Sequence, residues 1–394
     1  MTSPTPLKGM RVLEFTHMVM GPTAGMTLAD LGAEVIKVEP APEGDSTRRL
    51  TGSGTGFYAA FQRSRRSLCI DIKAPEGLAL VRRLAARTDV LIENFRPGAM
   101  AKLGLGFAEL SALNPRLVYC SCKGFLPGPY EHRTALDEVV QMMGGLAYMT
   151  GLEGRPLRAG SSVIDIMGGL SAVIGILAAL SERERTGRGG EIQAGLFETV
   201  ALLMAQHMAQ TGITGQAPPP MSVRRPAWPV YDIFVTSDGG QVFVGVVTDT
   251  QWPAFCAAFG LEDLAADPTL ATKQQRVAER ERTIPRIAAA LATYAKPELM
   301  AKCEALGLPF APIGQPADLF EDPHLLGSGG LVPLTLPDGG RIDLPALPVS
   351  IDGARPGGTG DLRRPGEDGP AIAAELGYTE AEIAALRQAG VLAA

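Results

Sequence analysis

The chain has 394 residues, 46% hydrophobic and 20% charged, enough to bury a large core and to divide into two units. A net charge of −6 argues against bulk nucleic-acid binding. Five cysteines without paired spacing read as core thiols of a reducing compartment, and four histidines without ligand-like neighbours argue against a zinc site.

In chain order, residues 11–15 predict a short apolar strand, 21–31 a helix and 34–38 a second strand, which together make a βαβ unit. Further strands are expected at 68–72, 90–93 and 117–122, with helical stretches such as 75–86 between them. Strands alternating with helices imply an α/β fold, a Rossmann-like large domain with a parallel sheet covered on both faces. The first turn lacks Gly-x-Gly-x-x-Gly, so nicotinamide chemistry does not follow from that fold.

From Ile166 to Leu180 there is neither charge nor proline, and Asp165 stands at the mouth of this apolar helix. Alone, an Asp there reads as a helix cap. The uncharged run is shorter than the roughly 18 residues of a membrane span, and the N-terminus lacks a signal-peptide core. A soluble, cytoplasmic protein is expected. Beyond a helix around residues 202–211, Gln216-Ala-Pro-Pro-Pro220 is a stiff linker. A hairpin turning at Asp238-Gly239 follows, then helical stretches at 252–259 and 283–306. The division expected is residues 1–224 as the first part of the large domain, 225–325 as a smaller inserted α+β domain, and 326–394 rejoining the large domain.

The series Pro6-Leu-Lys-Gly-Met-Arg-Val-Leu-Glu-Phe-Thr-His17, Gly21-Pro22, Leu31-Gly-Ala-Glu-Val-Ile-Lys-Val-Glu-Pro40, Gly44-Asp45, Arg66-Ser67, Asp71-Ile-Lys73 and Glu93-Asn-Phe-Arg-Pro-Gly98 continues through Lys123-Gly-Phe125, Asp137, the Asp165 segment, Thr186-Gly-Arg-Gly189 and Glu375-Leu-Gly-Tyr378. In order and spacing it resembles the family III CoA-transferases, which include formyl-CoA and carnitine CoA-transferases and, as a divergent branch, α-methylacyl-CoA racemases. The resemblance spans nearly the whole chain.

The resemblance implies an interlocked homodimer, acyl-CoA and carboxylic acid substrates (succinyl-CoA among the donors considered), and no cofactor beyond the CoA thioester itself. His17 and Met18 match CoA-contacting positions, Lys73 a lysine near the nucleotide phosphates, and Asn94 with Phe95 an adenosine-lining pair. Lys102 is a further phosphate candidate. Asp137 matches an acidic position of the site, with a structural ion pair as the alternative. Arg63, Arg65 and Arg66 read either as a solvated charged edge or as cations for the pyrophosphate.

The chemistry expected of Asp165 is nucleophilic. A carboxylate is ionised at neutral pH and needs no general base. The helix N-terminus would steady it and a nearby oxyanion, while Gly168 and Gly169 would leave room for the substrate. Departures from the family narrow the reading. Val19 replaces the glutamine of formyl-CoA transferases, and no glycine run precedes the small domain, which speaks against formyl or oxalate specificity. Leu136 stands where the racemases place a catalytic histidine, which speaks against a two-base racemase. A non-catalytic CoA-binding protein is the third reading. Arg224 and Arg225 either pair with a second substrate carboxylate or form a charged linker edge.

Overall fold

The computed structural model describes residues 3–223, 226–357 and 360–393. They form two compact units, one of Met1–Ser222 with Asp322–Ala394, the other of Val223–Glu321.

Six parallel strands build the first unit: β1 (Arg11–Phe15), β2 (Glu34–Pro40), β3 (Arg66–Ile70), β4 (Val90–Glu93), β5 (Val118–Lys123) and β6 (Gly190–Gly195). The C-terminal Leu392–Ala393 adds an antiparallel edge strand to β3. The order is Leu392–Ala393, β3, β2, β1, β4, β5, β6, so the parallel strands run 3-2-1-4-5-6, the Rossmann order. The chain reverses direction of travel between β1 and β4. Loops leaving the C-terminal ends of those strands diverge there and open a crevice.

Alternation along each strand supplies both cores. Leu13, Phe15, Ile36, Leu68 and Leu91 face the helix Pro75–Ala85 and the C-terminal helices Gly369–Glu375 and Glu380–Gln388. Val12, Val35, Val90, Ile92 and Val118 face the helices Met20–Asp30 and Val163–Thr186. Each such apolar side chain contributes about 1.5–3 kcal/mol when fully buried. The helix Met20–Asp30 is buried at ten of its eleven residues, which fits its lack of charge before Asp30.

The helix around Asp165 is longer than expected, 24 residues from Val163 to Thr186. The uncharged run within it stays short, while the whole helix has, by length and composition alone, what a membrane span needs, as core helices also do. One face, Ile164, Gly168, Gly169, Ala172, Val173, Ile176 and Leu180, belongs to the core, while Leu170, Ile174 and Leu177 on the other are exposed. Its end is pinned by buried Arg183, which reaches Asp89 at 3.0 Å and the Arg116 carbonyl at 3.2 Å. Gly187, at φ 73°, then turns the chain through a left-handed conformation that side chains disfavour. The stretch after that turn is strand β6, which the polar residues Glu191 and Gln193 hid from a reading by apolar runs.

In the second unit β7 (Val230–Val235) and β8 (Gln241–Val246) form a hairpin, with Gly239 at φ 78° in its turn, and β9 (Phe310–Pro312) joins β8. Val230, Phe234, Val242, Val244 and Val246 pack on Phe255, Ile287, Leu291 and Leu299. The helical stretch expected at 283–306 is two helices, Arg280–Leu291 and Lys296–Ala305. Pro297 in the first turn of the second suits a fresh helix start, where no backbone donor is needed. The helix expected at 202–211 likewise divides, into Leu196–Leu203 and Ala205–Thr214. Back in the first unit, β10 (Leu331–Thr335) and β11 (Arg341–Pro345) form a second hairpin. The five cysteines are buried and unpaired.

Candidate active site

A cleft of about 600 Å³ opens at the C-terminal ends of β1 to β4, where the reversed strand order predicts one. His17, Arg49, Lys73 and Phe95 line it, with Glu39, Glu43, Asp45 and Asp71. Its lining sets charges of both signs beside apolar wall.

Buried ion pairs shape its floor. Lys37, only 1% exposed, donates to the Thr16 carbonyl at 2.6 Å and pairs with Asp45 at 2.9 Å. Asp45 accepts from the Thr47 amide and hydroxyl, both at 2.8 Å, and the Met18 amide donates to the Thr47 hydroxyl at 3.0 Å. Asn94 clasps the other side of this loop. It accepts from the His17 amide at 3.1 Å and donates to the His17 carbonyl at 2.8 Å. Met18 is thereby held at φ 63°, a conformation rare for a side chain of its size. Asn94 and Met18 thus shape the loop and are not among the side chains lining the cleft. His17 stands 6.0 Å from Phe95, ring to ring. Desolvation lowers its pKa, with Lys37 adding to the fall and Asp45 opposing it, so the ring is neutral at pH 7.

Lys123 donates to Glu93 at 2.5 Å and to the Phe95 carbonyl at 2.8 Å, and so fixes the Phe95 turn from β5. Lys102 is exposed on the short helix Ala99–Lys102 and lines neither this cleft nor a second of about 270 Å³ around Glu93, Lys123 and Gln193. The arginines read as a solvated edge are largely internal. Arg63 is buried against Asp30 at 2.6 Å, Arg65 against Glu14 at 2.6 Å, and Arg66 bridges Glu34 and Glu375. Arg224 and Arg225 lie outside the described residues.

Asp165 is the third residue of its helix and not the cap. The cap comes from Asp137, 28 residues earlier, whose Oδ2 accepts from the Ile164 amide at 2.9 Å and the Asp165 amide at 3.0 Å. Those two amides are occupied, which corrects the expectation that they steady the reacting groups. Gln141 secures this arrangement by donating to Asp137 Oδ1 and accepting from the Ala159 amide. The carboxylate of Asp165 accepts no hydrogen bond from the described residues. Its pKa is pushed up to about 7, by desolvation first and by the neighbouring charge of Asp137 second, with Arg158 opposing. The expectation of an acid fully ionised at neutral pH is thereby corrected. Near pH 7 it exchanges between both forms.

Gly168 and Gly169 do not open the backbone to a substrate. A Cβ on Gly168 would meet the Met20 methyl at 2.9 Å, and one on Gly169 the Met20 carbonyl at 2.5 Å. They let two helices approach closely. Asp165 stands one turn before them on the same face, beyond the contact with Met20.

Arg158 is the functional candidate that motif reading passed over. It donates to Glu138 and to the Ala159 carbonyl, and its Nη2 lies 3.9 Å from Asp137. The signal was available only as an arginine seven residues before Asp165, too common a spacing to single out.

The first unit thus holds a cleft of mixed charge at the C-terminal ends of its parallel strands and, at the start of the helix Val163–Thr186, a desolvated carboxyl poised near neutrality. Residues 7–365 match the model of CoA-transferase family III, and the chain belongs to that family of enzymes. The succinate–glutarate CoA-transferase of Agrobacterium fabrum is 37% identical over 346 residues, 85% of this chain and 86% of that one. The succinyl-CoA–D-citramalate CoA-transferase of Chloroflexus aurantiacus is 34% identical over 399 residues, 99% of this chain and 98% of its own. The crystal structure of a CAIB/BAIF family protein from Brucella suis superposes with a TM-score of 0.84 at 35% identity, covering 95% of this chain and all of that one.

Proposed function

We propose that the enzyme moves CoA from an acyl-CoA donor, succinyl-CoA among them, to a small carboxylic acid through covalent intermediates on Asp165. The observation that carries this is the carboxyl of Asp165, without a hydrogen-bond partner among the described residues and with a pKa near 7. A raised pKa makes the ionised carboxyl a better nucleophile than an ordinary aspartate.

The ionised Asp165 attacks the thioester carbonyl. The carbon–sulfur bond breaks, CoA leaves as thiolate, and an aspartyl acyl anhydride remains. The thiolate then attacks the aspartyl carbonyl, the donor acid leaves as carboxylate, and Asp165 carries CoA as a thioester. The acceptor carboxylate reverses both steps, and Asp165 returns as a free carboxylate. One thioester replaces another, so the energy of the bond is conserved without nucleotide or metal.

In this reading the cleft of His17, Lys73 and Phe95 receives CoA, with the adenine near Phe95 and the phosphates near Lys73 and Arg49. Desolvation keeps His17 neutral, suiting it to pack and hydrogen-bond without repelling a cation. Leu136, 60% exposed beside Asp137, supplies no second base for racemisation. A second copy of this chain covers the apolar strip of Leu170, Ile174 and Leu177 and the helix Ala205–Thr214, none of whose residues is buried.

The test is transfer itself. Purified enzyme given succinyl-CoA or acetyl-CoA and a panel of carboxylic acids should form new acyl-CoA, and Asp165→Ala should form none while keeping its fold. Full turnover by Asp165→Ala sinks the mechanism.

A further inference from the structure

We propose that Arg158 is the residue that selects dicarboxylic substrates, by pairing with the carboxylate remote from the reacting one. The inference rests on Asp165 as the carrier of CoA. It assigns to Arg158 the task that sequence alone offered to Arg224 or Arg225.

The geometry starts from three carboxylates. Asp137, Glu138 and Asp165 gather where their two helices begin, and a substrate with a spare carboxylate brings a further negative charge among them. Like charges disfavour such a guest unless a cation receives it. Arg158 is that cation. Its charge reaches Asp165, where it is the one influence drawing the pKa down.

Its donors are unevenly used. Nε donates to the Ala159 carbonyl at 3.1 Å and Nη1 to Glu138. Nη2 has only the 3.9 Å approach to Asp137 Oδ1, longer than a hydrogen bond. The side chain is 36% exposed, so a guest can reach this free edge. Asp137 bridges the two positions, because its other oxygen is 3.0 Å from the Asp165 amide. Arg158 and the start of the Asp165 helix thus stand on the two oxygens of one carboxylate. The end carbons of a four- or five-carbon diacid lie roughly 4–5 Å apart when extended, so a diacid reacting at Asp165 carries its second carboxylate within the neighbourhood that Asp137 shares with Arg158. Glu138, 58% exposed, serves as the stand-in partner that the substrate replaces.

The experiment compares acceptors with one common donor, acetyl-CoA, which has no second carboxylate. Steady-state kinetics with glutarate, succinate and butyrate are measured for the wild type, Arg158→Gln and Arg158→Lys. Loss of a charge-assisted pair should lower the glutarate-to-butyrate ratio of kcat/KM by about 10- to 100-fold in Arg158→Gln, chiefly through KM. Arg158→Lys, which keeps the charge but loses the fork, should recover part of that ratio. A role confined to holding Asp137 would depress both acids equally. An unchanged ratio in an enzyme that still transfers CoA overturns the assignment of Arg158 alone, whereas absence of transfer to any acid by the wild type, from acetyl-CoA and from succinyl-CoA alike, overturns the Asp165 reading with it.

Discussion

Asp137 caps the helix that carries Asp165, placing one carboxylate oxygen 2.9 Å from the Ile164 amide and 3.0 Å from the amide of Asp165 itself. The same contact that orders the helix start sets a negative charge beside a second, desolvated carboxyl. Fold stability and the basicity of Asp165 are thus coupled through one residue. Desolvation and that charge together hold the Asp165 carboxyl at about 7, against the pull of Arg158.

A rate limited by ionised Asp165 should rise with pH through about 7 and level off above it. Asp137→Asn keeps an oxygen for the two amides and removes the charge. It should move the midpoint of this acid limb down by roughly one pH unit. A midpoint that stays near 7 in Asp137→Asn would assign the shift to desolvation alone.

Stability should respond to the same group with the opposite sense. Between an unfolded pKa near 3.8 and a folded value of about 7, the native state holds more protons at Asp165 than the unfolded chain, so stability is lost as pH rises through that window. Asp165→Asn removes the ionisation and should stabilise the protein at pH 8 by up to about 4 kcal/mol, with little gain at pH 4. Denaturant melts of the two proteins at both pH values check this, and equal midpoint shifts at pH 4 and pH 8 would contradict it.

Gly169→Ala should destabilise by about 1–3 kcal/mol, because its Cβ would meet the Met20 carbonyl at 2.5 Å and the Thr23 Cβ at 2.7 Å. Neither atom is the free end of a flexible chain. A urea midpoint equal to the wild type's would show that the helices have slack.

Asn94→Ala removes both bonds to the His17 backbone and loosens the loop that holds Met18 at positive φ. The expected result is a rise in KM for acyl-CoA of about 5- to 30-fold with a smaller change in kcat, measured by initial rates. Unchanged KM would remove the loop from the CoA site.

Much of this was legible in the residues because it is local. The short apolar stretch in Arg11-Val-Leu-Glu-Phe15 and the apolar run after Asp165 specify a strand and a helix from their own side chains. What escaped depends on partners far along the chain. Asp137 caps a helix 26 residues away, Arg65 is buried because Glu14 waits 51 residues earlier, and Leu392–Ala393 becomes a strand only by finding β3. Gly168 and Gly169 suggested an open backbone, but only the approach of Met20 reveals what the missing side chains are for. Arg158 escaped because nothing local marks an arginine whose meaning lies in the carboxylates around it.

The most direct measurement is the mass of the peptide containing Asp165 after incubation with acyl-CoA alone, followed by acid quench. Transfer through an aspartyl-CoA thioester needs the donor acid to leave before the acceptor arrives. The half-reaction should therefore proceed without acceptor, releasing free acid and adding CoA to Asp165, and hydroxylamine should inactivate the enzyme only after acyl-CoA is present. Absence of any mass gain on that peptide, with the acyl-CoA returned intact and its α-hydrogen exchanged, would contradict the account and point to acyl-CoA racemisation.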